Sequence, residues 1–217
     1  MVATTPATAQ VCAVVLAGGR GARMQGLDKG LQGFRGTPLA LHAVQRLQAQ
    51  SGGAPGLIAL NANRSLAEYA RWQLPVWPDH LADFAGPLAG FASALAGAGA
   101  DYPYVLTVPC DSPLFPLDLL ARLMHALHAS EAEIAMPLAR ESTDAADGAL
   151  RLQPVFCLMR TTLAADLEEY LALGGRKIAH WARRHRLAEV AFDQEHDAPA
   201  AFANANTLDE LQRLEAP

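Results

Sequence analysis

Residues 11–30 read VCAVVLAGGRGARMQGLDKG, and this stretch decides the fold. Val11 to Leu16 is an unbroken apolar, β-branched run with no polar face, which predicts a strand buried on both sides. It stops at Ala17-Gly18-Gly19, so the strand feeds a glycine loop whose backbone can approach an anion closely. Arg23 follows as a planar fork and Lys29 as a compact charge. Two common nucleotide loops are excluded. A Walker A loop needs GxxxxGK[ST], but Gly21 and Gly26 are followed by Leu27-Asp28 and Lys29 comes two places late. A dinucleotide fingerprint needs GxGxxG, and Met24 stands where the third glycine belongs. The chain uses 15 arginines and only two lysines, Lys29 and Lys177, so a lysine in the glycine loop stands out. The residues alone leave open a plain glycine turn with solvated Arg20, Arg23 and Lys29.

Outward from this loop, strands and helices alternate. Thr37 before Pro38 offers an N-cap and a first-turn proline for a helix carrying Leu39, Ala43 and Leu47, closed by Gly52 and Gly53. Leu57 to Asn61 reads as a strand, Ser65 to Glu68 as a capping box, and Pro75 to Trp77 as a short strand before the acidic turn Asp79 to Asp83. Gly86-Pro87 opens an alanine-rich helix through Ala98, and Tyr104 to Val108 is a buried strand ending at Pro109-Cys110-Asp111. Leu120, Leu123, Met124 and Leu127 form a helical stripe after Pro116. Ile134 to Leu138 and Val155 to Met159 are further strands, separated by the polar stretch Arg140 to Ala149. Leu163, Leu167 and Leu171 mark a helix ended by Gly174-Gly175, and Thr207 to Glu210 is a second capping box. This alternation predicts an α/β fold, a three-layer α/β/α arrangement with a mainly parallel, Rossmann-like sheet. The expected organisation is one domain over residues 11–217 behind a loose tail, residues 1–10. Ligands of such sheets bind beyond the carboxyl ends of the strands. The residues to watch are therefore Ala17-Gly18-Gly19, Asn61 to Arg64, Pro78-Asp79 and Pro109 to Asp111.

Composition agrees with one packed domain: 217 residues, 51% hydrophobic and 18% charged. Every apolar run is broken too early for a membrane span. The tail lacks the charged and apolar regions of a secretory signal. Cys12, Cys110 and Cys157 form neither an even framework nor a metal-ligand spacing, which points to buried thiols in a reducing, cytoplasmic setting. The net charge of −5 disfavours a nucleic-acid partner. Met1 to Gly36 nevertheless holds one acid, Asp28, against Arg20, Arg23, Lys29 and Arg35, and this positive corner suits a small polyanion such as a nucleoside triphosphate.

The stretch LAGGRGARMQGLDKG (16–30) resembles the signature of nucleotidyltransferases, and more narrowly that of the molybdenum cofactor guanylyltransferase family. The resemblance continues through NANR (61–64), the DxxxDxxGPLAG pattern (79–90), PCD (109–111) and FANANTLDEL (202–211). The first motif is shared with sugar and isoprenoid nucleotidyltransferases; the five in this order are more specific. Leu16-Ala17-Gly18-Gly19, where related cytidylyltransferases carry LAAG, favours guanine.

The resemblance implies a nucleotide-diphospho-sugar transferase-type sheet and transfer of GMP from GTP to the terminal phosphate of molybdopterin or molybdenum cofactor, with release of pyrophosphate. It implies that Leu16, Ala17, Gly18, Gly19, Asn61 and Asp79 hold the guanosine, and that Arg23 and Lys29 hold the triphosphate. Asp111 would ligate Mg²⁺, with Mn²⁺ as a substitute. Gly86, Pro87, Gly90, Asn204 and Asn206 would lie on the pterin side. Transient contacts with cofactor-synthesis proteins and molybdoenzyme chaperones would follow, with no membrane and no nucleic acid. An amide and a carboxylate suit guanine, which offers O6 as acceptor and N1 and N2 as donors. Since the acceptor phosphate is already anionic, no protein base is required, and cations supply the catalysis.

Simpler roles stand beside these. Asn61 fits a strand-end cap, Asp79 and Asp111 fit turns next to proline, and Gly86 to Gly90 fit a helix start and close helix packing. A same-fold enzyme using CTP or a sugar or other phosphate acceptor, or a non-catalytic GTP-binding module, is the alternative. His125 and His128 lack a third metal ligand, Trp181 to Arg186 reads as a solvated helical face, and Gly174-Gly175 as a helix cap.

Overall fold

Alternate side chains of the opening apolar run enter two different cores, which is why that strand carries no polar residue. The computed structural model describes residues 8–18, 27–80, 86–140, 149–198 and 200–215. Residues 1–7 of the expected tail lie outside this set, and Thr8–Gln10 form a 3₁₀ turn that leads into β1. β1 (Val11–Leu16) sends Val11, Ala13 and Val15 to one face of the sheet and Cys12 and Val14 to the other. The next elements are a hairpin of β2 (Gly33–Phe34) and β3 (Thr37–Pro38), then α1 (Leu39–Gln48), β4 (Leu57–Asn61), α2 (Leu66–Ala70), β5 (Val76–Trp77), α3 (Pro87–Ala98) and β6 (Tyr104–Pro109). The chain continues through α4 (Leu119–Ala129), β7 (Ile134–Ala139), β8 (Arg151–Leu152), β9 (Cys157–Arg160), α5 (Ala164–Ala172), α6 (Ile178–Ala182), β10 (Leu187–Ala191) and α7 (Leu208–Glu215).

The main sheet has the order β10-β7-β9-β6-β1-β4-β5, with β8 added to β7. β1 pairs in parallel with β4 and β6, β4 with β5, and β7 with β10. β9 runs antiparallel between β6 and β7, and β8 antiparallel to β7. The sheet is thus mainly parallel. Helices α1, α2 and α4 cover the face that receives Val11 and Val15, through Ala43, Leu47, Tyr69, Leu120, Leu123 and Leu127. Helices α3, α5 and α6 cover the opposite face through Phe91, Leu95, Leu167, Leu171 and Trp181. Each fully buried Leu or Val contributes roughly 1.5–3 kcal/mol of transfer free energy, so the two cores hold the layers together. A third, smaller cluster of Phe34, Leu39, Ala205 and Leu211 docks α7 on the hairpin. Among the described residues no helix is long and apolar enough to cross a membrane.

Four local expectations need correction. Thr37 and Pro38 do not cap α1; they form β3, because Arg35 (φ 49°) and Gly36 (φ 78°) both take positive φ, as a tight two-residue hairpin turn requires. The helix then begins at Leu39 without a side-chain cap, and it ends at Gln48, ahead of Gly52 and Gly53. Ser65 stands at the start of α2 but lies in the left-handed region (φ 51°, ψ 29°) and makes no capping bond, so the box there is not formed. Strands β2, β3, β8 and β10 have no counterpart in the sequence reading, and α6 overlaps the helical face read over Trp181 to Arg186 only at Trp181 and Ala182. β10 alternates only between partly buried and exposed residues, so its apolar pattern is weak.

Candidate functional site

Register brings four strand ends together. Leu16 lies opposite both Asn61 and Pro109, and Asn61 lies opposite Trp77, so β1, β4, β5 and β6 end in one row. The chain leaving that row is tied down at once: Ala17 N–H donates to Asn61 O at 2.8 Å and Cys110 N–H to Leu16 O at 3.2 Å. The loops expected to bind ligand therefore share one edge of the sheet.

At the β4–β5 end a closed network surrounds Asp79. Asn61 Nδ2 donates to Asp79 Oδ1 and to Trp77 O, each at 2.9 Å. Asn63 Nδ2 donates to Asp79 Oδ2 at 2.7 Å and to Gly18 O at 3.3 Å, while Asp79 N–H donates to Asn63 Oδ1 at 2.7 Å. Both amide groups have committed their two donors, and Asn61 is buried. A carboxylate has about four acceptor positions, so Asp79 is aimed by two amides and keeps capacity for the paired donors of a base edge.

At the β1–β6 end three distant stretches meet. Lys29 sits on a 3₁₀ turn, Lys29–Leu31, after the glycine loop. Its Nζ donates to Asp111 Oδ2 at 2.5 Å and to Asn206 Oδ1 at 2.9 Å. Lys29 and Asp111 are 18% and 19% exposed, so the pair is shielded from bulk water without being sealed. An ammonium has about three donors; two are engaged here, leaving one for a ligand oxygen. Beside it Ser112, fully buried, donates from Oγ to Asn204 Oδ1, and Ala205 N–H donates to Asp111 O at 2.8 Å. Asp111 and Asn206 thus bring one carboxylate and one amide oxygen to the same ammonium, and the amide oxygen of Asn204 sits on the neighbouring Ser112. That all-oxygen set fits Mg²⁺, which takes one or two carboxylates and completes its shell with water and phosphate.

The structure thus joins Lys29, Asp111, Asn204 and Asn206 in one cluster, and Gly18, Asn61 and Asp79 in another. Asn204 and Asn206, expected on the pterin side, lie beside the carboxylate, Asn206 on the Lys29 ammonium and Asn204 on Ser112. Gly86 (φ 127°) and Pro87 are exposed at the start of α3. Gly90 is buried against Asn61 and Leu16, where a Cβ would come within 2.7 Å of Asn61 Oδ1. Its small size serves close helix packing beside the Asp79 network. Gly19, Arg20, Arg23 and the rest of 19–26 lie outside the described residues, as do 81–85, which include Asp83, and 141–148. Asn63 falls in a segment to watch, but the sequence gives it no role of its own, and it gives none to Ser112 or Tyr69. The one available signal is the alternation of Asn61 with Asn63.

Other clusters have local duties. Asp166 accepts from Trp181 Nε1 and lies 2.9 Å from His185 Nε2, so the Trp181 to Arg186 segment docks α6 against α5. Trp181 and Ala182 are fully buried while Arg183, Arg184 and Arg186 are exposed, so the solvated face holds for the arginines and not for the tryptophan. Asp118, His196 and Asp197 lie close enough to share an ion, but Arg122 already stands among them, 2.7 Å from Asp197 and stacked on Phe192 at 3.6 Å. Gly174 (φ 87°) and Gly175 donate back to Leu171 O and Tyr170 O, the expected helix ending.

Residues 13–190 match the family described as MobA-like NTP transferase domain. A molybdenum cofactor guanylyltransferase of Methylibium petroleiphilum is 57% identical over 94% of this chain and 95% of its own length. One of Acidovorax ebreus is 54% identical over 96% of each chain. Among solved structures, molybdopterin-guanine dinucleotide biosynthesis protein A of Archaeoglobus fulgidus shares the fold with a TM-score of 0.70 and 22% identity, over 94% of this chain and 96% of that one.

Proposed function

The chain belongs to the MobA-like NTP transferase family, and on that premise we propose that it transfers GMP from GTP to the terminal phosphate of molybdopterin. A phosphate oxygen of the acceptor attacks the α-phosphorus of GTP, a new P–O bond forms, the α–β bridging bond breaks, and pyrophosphate leaves. The meeting of Lys29, Asp111 and Asn206 carries this reading: residues 82 and 177 positions from Lys29 converge on one ammonium beyond the ends of β1 and β6. Phosphoryl transfer needs positioned positive charge more than it needs a base, and an anionic acceptor brings its own nucleophile.

Asp79, held by Asn61 and Asn63, would accept from N1 and N2 of guanine; the backbone of Leu16, Ala17, Gly18 and Gly19 would lie along the nucleoside. Lys29 and Arg23 would hold the triphosphate. Asp111 would hold Mg²⁺, which neutralises phosphate charge when bound. Asn204 and Asn206, with the exposed Gly86 and Pro87, would face the pterin substrate, while Gly90, buried against Asn61 and Leu16, would serve the guanine side through packing. We place the reaction in the cytoplasm, since three buried, unpaired cysteines suit a reducing compartment. Transient contacts with cofactor-synthesis proteins and molybdoenzyme chaperones would deliver substrate and take product.

The test is pyrophosphate release. With Mg²⁺ and molybdopterin, GTP should support turnover and CTP should not; release with a sugar 1-phosphate alone would remove the assignment. Asp111→Asn should lower kcat about 10²–10³-fold with the fold intact, the size of loss seen when one transition-state electrostatic partner is removed. Lys29→Ala should raise KM for GTP, and unchanged kinetics would reject its role.

A further inference from the structure

Lys29 is long and flexible, so its usefulness depends on what fixes the turn that carries it. Asp28 caps that turn: its Oδ1 accepts from Gly30 N–H at 3.2 Å. The same oxygen accepts from the hydroxyl of Tyr69 at 2.7 Å. Tyr69 is fully buried on α2, and a Cβ at position 30 would come within 2.3 Å of its hydroxyl oxygen, so Gly30 is the residue that lets the two approach. Two more bonds hold the flanks: Arg64 Nη2 donates to Leu27 O at 3.0 Å, and Gln32 Nε2 to Asp28 O at 2.9 Å. Burial first, then the hydrogen bond and charge of Asp28, push the Tyr69 phenol well above its ordinary value, so it stays a donor.

We infer that Tyr69 is a positioning residue for Lys29, acting through Asp28 to hold the ammonium at Asp111 and Asn206. The inference rests on the reading of Lys29 as a triphosphate contact. It also gives segment 61–69 a second duty. Asn61 and Asn63 aim Asp79 at one end, and Arg64 and Tyr69 fix the Lys29 turn at the other, so one stretch sets both halves of the site.

Titration of the full-length protein with GTP and with GMP, in Mg²⁺, tests this. Tyr69→Phe removes one hydroxyl and keeps the ring. It should weaken GTP about five- to tenfold, the size of one hydrogen bond, and leave GMP within about twofold, because GMP keeps only the α-phosphate and lacks the β- and γ-phosphates of the triphosphate that Lys29 holds. Tyr69→Phe added to Lys29→Ala should change nothing further, the signature of acting through that residue. Should Tyr69→Phe fail to fold, Asp28→Ala should show the same loss confined to GTP. Unchanged GTP affinity, an equal loss for GTP and GMP, or an undiminished effect in the Lys29→Ala background would each overturn the inference. If Lys29→Ala itself leaves the GTP-to-GMP ratio unchanged, the reading of Lys29 fails and the inference falls with it; a Lys29 effect without a Tyr69 effect sinks the inference alone.

Discussion

At the scale of single residues, Gly90 shows how packing can set chemistry. It lies in the interior of α3, where alanine normally gains about 1 kcal/mol over glycine. Here the added methyl would meet Asn61 Oδ1 at 2.7 Å and Leu16 Cδ2 at 3.0 Å. Asn61 cannot step aside cheaply, since both its donors are committed. Overpacking costs about 1–3 kcal/mol, so the clash outweighs the propensity. Gly90→Ala should lower the urea midpoint and raise KM for GTP as Asn61 releases Asp79; a midpoint at or above the parent's would contradict the packing role. The cysteines give a second expectation. Burial pushes the Cys12 thiol up to about 12 and raises Cys110 and Cys157 as well, so none should react with a thiol reagent until the protein unfolds. Lys29 and Asp111 are legible in sequence because each follows a strand end in a loop of special composition. Asn63 and Tyr69 are not. Their partners, Asp79 and Asp28, are 16 and 41 positions away, and only the folded chain joins them.

At the scale of elements, two sequences of the same capping type behave differently. Before α7, Thr207 Oγ1 accepts from Glu210 N–H at 3.1 Å, and Glu210 Oε2 accepts from Asn206 N–H at 2.6 Å. The second bond holds the backbone of the residue whose side chain meets Lys29. Before α2, Ser65 is left-handed and its side chain does not cap. Tertiary placement overrides the local preference there, since α2 must bury Tyr69 beside Asp28. The strands read from apolar runs fall where expected because burial on two faces leaves a continuous signal; short pieces such as β8 and β10 carry half-exposed residues and leave none. Thr207→Ala should cost about 1 kcal/mol of α7 stability, about a fivefold loss of amide protection in hydrogen exchange across that helix. Equal protection in the two proteins would show that docking of Leu211 alone holds α7.

At the scale of the whole molecule, acid stability follows from rings and carboxylates that the fold has committed. His42 Nδ1 and His128 Nε2 are buried without a hydrogen-bond partner. Burial, then the charges of Arg46 and Arg35, lower His42; burial, then Arg160, lowers His128. The unfolded chain takes up protons on these rings near pH 6.5, while the folded chain resists, so stability falls as pH drops below about 6.5. Asp197 acts lower on the scale. Burial alone would raise it, but hydrogen bonds from Arg122 and Gln194 N–H and the charges of Arg122 and His196 prevail and hold it below the usual carboxylate value. Its stabilisation is present above the unfolded carboxylate pKa and is lost as pH falls through the depressed folded value. Two separate acid limbs are therefore expected in the urea midpoint. Replacing both His42 and His128 with Gln should flatten the upper limb between about pH 7 and 5 and leave the lower one; Asp197→Asn should do the reverse. A parent midpoint that stays level over that range would mean that the two rings protonate as readily in the folded chain as in the unfolded one, and the burial argument for both would fail.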